Sequence, residues 1–138
     1  MQSKNIIIIG GGSSLGKAII DKIDLSDHNV VVLTSKNKLT TNIPNAIVIQ
    51  TNLANKKEIR TVSKKIKGIF EKIDILFCNN GGGLGIHNSF LSFKSLNRLL
   101  WYNLGIFQEF INELVEEFQD DARIICVGSV ASKQITAS

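Results

Sequence analysis

The chain predicts an α/β fold, a doubly wound parallel sheet of about five strands in the order 3-2-1-4-5. Three observations carry that expectation. Short β-branched runs alternate with helical periodicity along the sequence. The runs are apolar throughout rather than alternating with polar residues, as strands covered on both faces are. Loops of small residues follow two of the strands, at residues 10–16 and 79–85.

The first strand is the run Ile6, Ile7, Ile8 and Ile9, which passes directly into Gly10-Gly11-Gly12-Ser13-Ser14-Leu15-Gly16-Lys17. A helical pattern follows through Ala18, Ile19, Ile20 and Ile23. A buried strand turning sharply into a helix brings unpaired N–H groups and a positive dipole end together, and small residues let an anionic phosphate approach the backbone. Residues 30–34 and 46–50 are the second and third strands, separated by a polar link that contains Pro44 and has little helical character. A helix is expected over 55–70, opened by Asn55 and Glu58 as a capping-box-like pair and buried through Ile59, Val62, Ile66, Ile69, Phe70 and Ile73. Residues 74–78 form strand four, and Ser92 caps a long helix over 93–118 with apolar positions Phe107, Phe110, Ile111, Leu114, Val115 and Phe118. The last strand is expected over 123–127, leading into Gly128-Ser129-Val130-Ala131-Ser132.

At 138 residues the chain is expected to form one domain, residues 1–138, large enough to bury about two-thirds of its unfolded surface. Hydrophobic residues make up 43% and charged residues 20%, the values of a folded soluble domain. The apolar runs fall far short of the ~20 residues of a membrane span. Lys4 is the only charged residue before the first strand, and no small-residue cleavage site follows, so a cytoplasmic location is expected. The net charge of +4 raises the question of nucleic acid. However, Lys56, Lys57, Lys64, Lys65, Lys67 and Lys72 fall on the polar side of one helix without interleaved aromatics, the pattern of a solvated face. Cys78 and Cys126 each lie in or at the end of an apolar strand and read as buried free thiols. Neither a C-x-x-C nor a Cys/His ligand spacing occurs, so neither a zinc site nor a redox role is expected.

Two phosphate loops fit residues 10–17. Read from Gly11 they give G-x-x-x-x-G-K, the loop of nucleoside triphosphatases, but the magnesium-ligating hydroxyl expected after the lysine is replaced by Ala18. Read from Gly10 they give G-x-x-x-S-x-G, a dinucleotide turn with Ser14 where the middle glycine belongs. The loop alone leaves both open. Four further segments choose between them: Asn52-Leu53 after strand three, Asp74-Ile75-Leu76-Phe77-Cys78-Asn79-Asn80-Gly81, Asn103-Leu104-Gly105 in the long helix, and Arg123-Ile124-Ile125-Cys126-Val127-Gly128-Ser129-Val130-Ala131.

In order and spacing these five segments resemble the N-terminal part of a short-chain dehydrogenase/reductase. The resemblance implies a Rossmann-like sheet, incomplete on its C-terminal side, as the N-terminal segment of a longer domain. It implies an NAD(P)-dependent oxidoreductase moving hydride between a nicotinamide and a carbonyl or alcohol substrate. The implied cofactor-binding residues are Gly10, Gly11, Gly12, Ser13, Ser14, Leu15, Gly16, Ser35, Lys36, Asn52, Leu53, Asn79, Asn80 and Gly81. Ser129 takes the place of the catalytic serine, and Asn103 that of the asparagine that holds a proton-relay water. Asn52 stands where the family has Asp beside the adenine, keeping the acceptor and losing the charge, and Asn80 stands in place of alanine.

At the end of strand two the acidic residue that selects NAD is missing. Ser35-Lys36 stand there instead, Lys36 meeting the extra phosphate of NADP and Ser13 adding a hydroxyl donor, so NADP is favoured over NAD. The family's proton donor is a tyrosine four residues before a lysine on a helix that, counted from Ser129, begins beyond Ser138. The one tyrosine here is Tyr102, and four residues later stands Ile106, so the 138 residues carry no such pair. A non-catalytic nucleotide-binding or interaction module is therefore the alternative reading, with a phosphate-loop protein a remote third. The 93–118 helix offers a face for homo-oligomerisation, as its counterpart does in the family. His28 in a polar turn reads as locally bonded, and His87 as a neighbour of the nicotinamide end without a required role.

Overall fold

The computed structural model describes residues 2–35, 43–82, 84–86 and 90–128. The strands are β1 (Asn5–Ile9), β2 (Asn29–Thr34), β3 (Ala46–Gln50), β4 (Ile73–Cys78) and β5 (Phe118–Cys126). All neighbours pair in parallel and the order is β3-β2-β1-β4-β5, as the sequence predicts. The helices are α1 (Ser14–Ile20), α2 (Lys56–Ile69), α3 (Phe93–Leu100) and α4 (Ile106–Leu114).

The isoleucine run explains why the sheet is covered on both faces. In β1, alternate residues point to opposite sides. Ile7 and Ile9 join Val31, Leu33, Leu76 and the inner faces of α2 and α4, including Ile59, Ile66, Ile106 and Phe110. Ile6 and Ile8 join Val30, Val32 and Ile20, with Ile19 and Ile23 alongside. Each such side chain taken wholly out of water contributes roughly 1.5–3 kcal/mol, so the central strand anchors both layers.

Helix α2 forms as its apolar spacing requires, with Ile59, Val62 and Ile66 buried and the Asn55 side chain accepting from Lys57 N. The expected capping box closes differently. The Asn55 N–H is taken by Asn52 O at 2.9 Å, and the Glu58 carboxylate reaches beyond the cap to accept from Asn52 N at 2.7 Å. Lys56, Lys57, Lys64, Lys65, Lys67 and Lys72 are all exposed, as a solvated face requires, and two of them reach acidic partners: Lys56 meets buried Glu109 at 2.8 Å and Lys67 meets Glu117 at 3.1 Å. Ile69, assigned to the core, is 38% exposed because α2 ends there and Phe70 turns into the core instead.

The largest departure lies in the second half. Ser92 caps the long helix, its side chain accepting from Ser95 N. The helix is nevertheless not regular over 93–118. Residues Trp101–Gly105 form a π-helical turn in which Ile106 N bonds Trp101 O, and the α-helical part ends at Leu114. Val115–Glu117 is a 3₁₀ turn, Val115 is 61% exposed, and Phe118 already opens β5. β5 therefore starts earlier than expected, and its register against β4 jumps from Ile73↔Phe118 to Ile75↔Arg123. A bulge takes up the extra residues, which the apolar run at 123–127 does not announce.

Cys126 is exposed, against the expectation of two buried thiols, because β5 is an edge strand; Cys78 is buried. His28 is part-buried and its Nδ1 accepts from Lys4 N at 3.3 Å, 24 positions back in the chain, so its partner lies outside its own turn. Among the described residues no helix is long and apolar enough to cross a membrane.

Candidate functional site

The carboxyl ends of β1, β2 and β4 are knitted together by their own backbones. Gly10 N and Gly11 N both donate to Leu33 O, at 3.0 and 3.1 Å, and Asn79 N donates to Ile9 O at 3.0 Å. Gly10 is in the left-handed region at φ 80°, and a Cβ there would lie 2.5 Å from Asn79 O. A Cβ on Gly16 would run into Gly10 O, so the helix can start this close to the strand only with glycine at both places. The sequence spacing of the two glycines is thus a packing requirement.

Ser13 caps α1 and organises the turn. Its hydroxyl accepts from Gly16 N at 3.0 Å, donates to Gly10 O at 3.1 Å and accepts from Asn79 Nδ2 at 2.8 Å. A hydroxyl has one donor and two acceptor sites, so all three are engaged. The hydroxyl donor expected from Ser13 toward a 2′-phosphate is thus committed inside the turn. Ser14 and Leu15 begin α1 and are exposed, and Lys17 lies on the helix surface.

A cleft of about 120 Å³ opens beside this turn, lined by Gly10, Gly12, Ser13, Thr34, Ser35, Leu53, Asn79, Asn80, Gly81 and Tyr102. Among the described lining residues none is charged, so these residues offer amides, hydroxyls and backbone N–H groups. Asn52 stands apart: it is exposed, and its Oδ1 accepts from Ala54 N at 3.2 Å. Lys36, His87 and Ser129 lie outside the described residues. Larger hollows exist, of about 360 Å³ at the amino ends of the strands and about 600 Å³ between α1 and residues 43–45, but neither adjoins the glycine turn.

The loop after β4 is fastened to the π turn by two asparagines. Asn80 Nδ2 donates to Tyr102 O at 2.9 Å, while Asn80 Oδ1 is buried without a partner. Asn103 Oδ1 accepts from Gly82 N at 2.8 Å, and its Nδ2 donates to Gly82 O at 3.1 Å and to Leu99 O at 2.9 Å. A π turn offsets the helical ladder by one residue, and Asn103 meets the displaced Leu99 carbonyl. Trp101 Nε1 ties the same turn to Ala54 O at 3.0 Å. Sequence reading missed Thr34 and Tyr102 as cleft residues. Thr34 was legible as the residue before Ser35, whereas Tyr102 enters only through the π turn.

The description that matches this chain is short chain dehydrogenase, over residues 4–138. The chain belongs to that family. Solved short-chain dehydrogenases repeat the fold. One from Burkholderia cenocepacia in complex with NADP superposes at a TM-score of 0.84 with 19% identity, covering 99% of this chain and 60% of its own. One from Serratia marcescens gives 0.81 with 21% identity, covering 97% and 58%. A 7α-hydroxysteroid dehydrogenase complexed with NADH and 7-oxo glycochenodeoxycholic acid gives 0.81 with 20% identity, covering 98% and 56%. The chain thus spans less than two-thirds of the length of these short-chain dehydrogenases. Among the described residues no group of His, Cys, Asp and Glu side chains could hold a metal ion.

Proposed function

We propose that this short-chain dehydrogenase domain binds NADP, in preference to NAD, across the carboxyl ends of β1, β2 and β4, and that the whole protein moves hydride between that nicotinamide and a carbonyl or alcohol substrate. The observation that carries the nucleotide site is the convergence of the Gly10–Gly16 contact, Thr34-Ser35 and Asn79-Asn80-Gly81 on one cleft. A pyrophosphate fits there because no Cβ blocks Gly10 or Gly16 and the α1 dipole is at hand. Within the family, bound nicotinamide supplies the hydride acceptor or donor. This chain's residues supply the cradle: Leu53 a wall for the adenine side, Ser35 and Lys36 the 2′-phosphate end, and Asn103 the support of the loop under the nicotinamide.

The family's proton donor and lysine are not among the 138 residues, so turnover is assigned to the whole enzyme and nucleotide binding to this segment. Ser129 belongs to the substrate side of that proposal, residues 1–138 to one nucleotide-binding domain, and a cytoplasmic setting to the same reading. A small-molecule substrate and self-association through the exposed apolar residues of α3, the face of α4 being taken up by the core, complete it. Titration of the chain with NADPH and NADH, followed by nicotinamide fluorescence, tests the cofactor. Tighter NADPH binding, weakened toward the NADH value by Lys36→Ala, supports it. Equal or tighter NADH binding overturns the Lys36 argument, and absence of binding by either nucleotide overturns the site.

A further inference from the structure

The two cysteines, 48 positions apart by number, meet across the sheet. Cys78 and Cys126 are register partners on the parallel strands β4 and β5, and Val127 N donates to Cys78 O at 3.0 Å directly beside them. Side chains of register partners point to the same face, so the two thiols lie side by side on adjacent strands. Neighbouring strands are about 4.8 Å apart, inside the ~4.4–6.8 Å Cα separation that a disulfide spans. One thiol is exposed and the other buried, so an oxidant in solution meets Cys126 first.

We propose that Cys78 and Cys126 form a reversible, hydroperoxide-driven disulfide across β4 and β5. In the first step the Cys126 sulfur attacks the outer oxygen of the hydroperoxide. An S–O bond forms, the O–O bond breaks and the corresponding alcohol leaves, or water from hydrogen peroxide itself. In the second step the Cys78 sulfur displaces hydroxide from the Cys126 sulfenic acid. The S–S bond forms, the S–O bond breaks, and the Cys78 proton leaves with the hydroxide as water. Two thiols are oxidised by two electrons in all, and the peroxide is reduced by the same two.

Burial, and then the neighbouring Cys126, push the Cys78 thiol well above its ordinary pKa. The second step is accordingly slow, because the thiolate is the nucleophile. A sulfenic acid on Cys126 is therefore trappable before the bridge closes. The bridge lies at the cleft edge, since Cys78 immediately precedes Asn79 and Asn80.

The test treats the native 138-residue chain with hydrogen peroxide and follows free thiols, intact mass and peptide maps. The expected result is loss of both thiols, a peptide containing Cys78 joined to one containing Cys126 within one chain, and full recovery with dithiothreitol. Dimedone added with the peroxide is expected to label Cys126 and not Cys78. In Cys126→Ala, a change at an exposed position, the Cys78 thiol is expected to survive the same treatment. Three results would overturn the proposal: both thiols intact, bridging only between chains, or Cys126 carried to the sulfinic acid while Cys78 stays reduced.

Discussion

Asn103 grips Gly82 at both ends of one residue, Oδ1 accepting from its N–H at 2.8 Å and Nδ2 donating to its carbonyl at 3.1 Å. The same amide meets Leu99 O at 2.9 Å, so one side chain joins the π turn of the long helix to the loop that ends β4. Its support of the cleft is therefore indirect, through Gly81 and Asn80.

Replacing that amide separates the two functions of the helix. Asn103→Ala is expected to lower stability by about 0.5–1.5 kcal/mol, since the two bonds to Gly82 are exposed and replaceable by water and only the one to Leu99 O is part-buried. It is expected to weaken NADPH binding as well, while α4 and its core contacts persist. Urea unfolding with a parallel nucleotide titration reads both. Asn103→Asp keeps the acceptor for Gly82 N but turns a carboxylate oxygen toward the Gly82 and Leu99 carbonyls, so its loss of binding should be at least that of alanine.

Asn80→Ala tests a different balance. The change removes the bond to Tyr102 O, worth roughly 0.5–1.5 kcal/mol, and also removes an acceptor that is buried without a partner, a saving of roughly 1–3 kcal/mol. The two offset, and stability within about 1 kcal/mol of the parent is expected by urea unfolding. A drop of several kcal/mol would mean that Oδ1 is satisfied in solution.

Gly16→Ala places a methyl against Gly10 O and within 2.9 Å of the Gly11 backbone carbons. A destabilisation of about 1–3 kcal/mol is expected, together with loss of NADPH binding, since the turn can open only by moving α1 off the strand. Thermal melts with and without NADPH separate the effects. The parent melt should rise with nucleotide and the variant melt should not.

Acid sensitivity is assigned to the amino end of β1. Asp74 is desolvated, which pushes its carboxyl up, but the Asn5 N–H at 2.8 Å and the Lys4 ammonium at 2.7 Å more than reverse this and hold it below the ordinary aspartate range. A depressed folded pKa gives stability that is present above the unfolded pKa and lost as pH falls through the folded one. Asp74→Asn should therefore be less stable than the parent at neutral pH, and the gap should close below about pH 4. Unfolding curves taken across that range check the sign.

Much of this architecture is legible in the residues. The isoleucines of β1, the valines of β2 and the Gly10-to-Gly16 spacing state a two-faced parallel strand turning into a helix, because burial and close approach leave few other residue types possible. Ser92 as a cap is equally legible, since it depends on local chemistry. The features that escaped are those set by tertiary partners. The π turn exists where Trp101, Tyr102 and Asn103 meet loops from β3 and β4, and no periodicity in the helix marks it. Phe118 and Val115 continue the helical spacing that ends at Leu114, because the strand that follows is fixed by pairing with β4. The Cys78–Cys126 contact is likewise a register fact that no local motif encodes. Ser13 was legible as a turn residue, but the full use of its hydroxyl depends on Asn79, which lies 66 positions on.

The central claim is that a nicotinamide dinucleotide lies in the cleft between the glycine turn and the Asn79-Asn80-Gly81 loop. Amide chemical-shift mapping of the isotopically labelled chain on addition of NADPH tests it most directly. The account predicts saturable shifts concentrated at Gly10, Gly12, Ser13, Ser35, Asn79, Asn80 and Gly81. Shifts centred instead on Asn5, Asn29 and Asn45 at the opposite end of the sheet, or no shifts at saturating nucleotide, would contradict it.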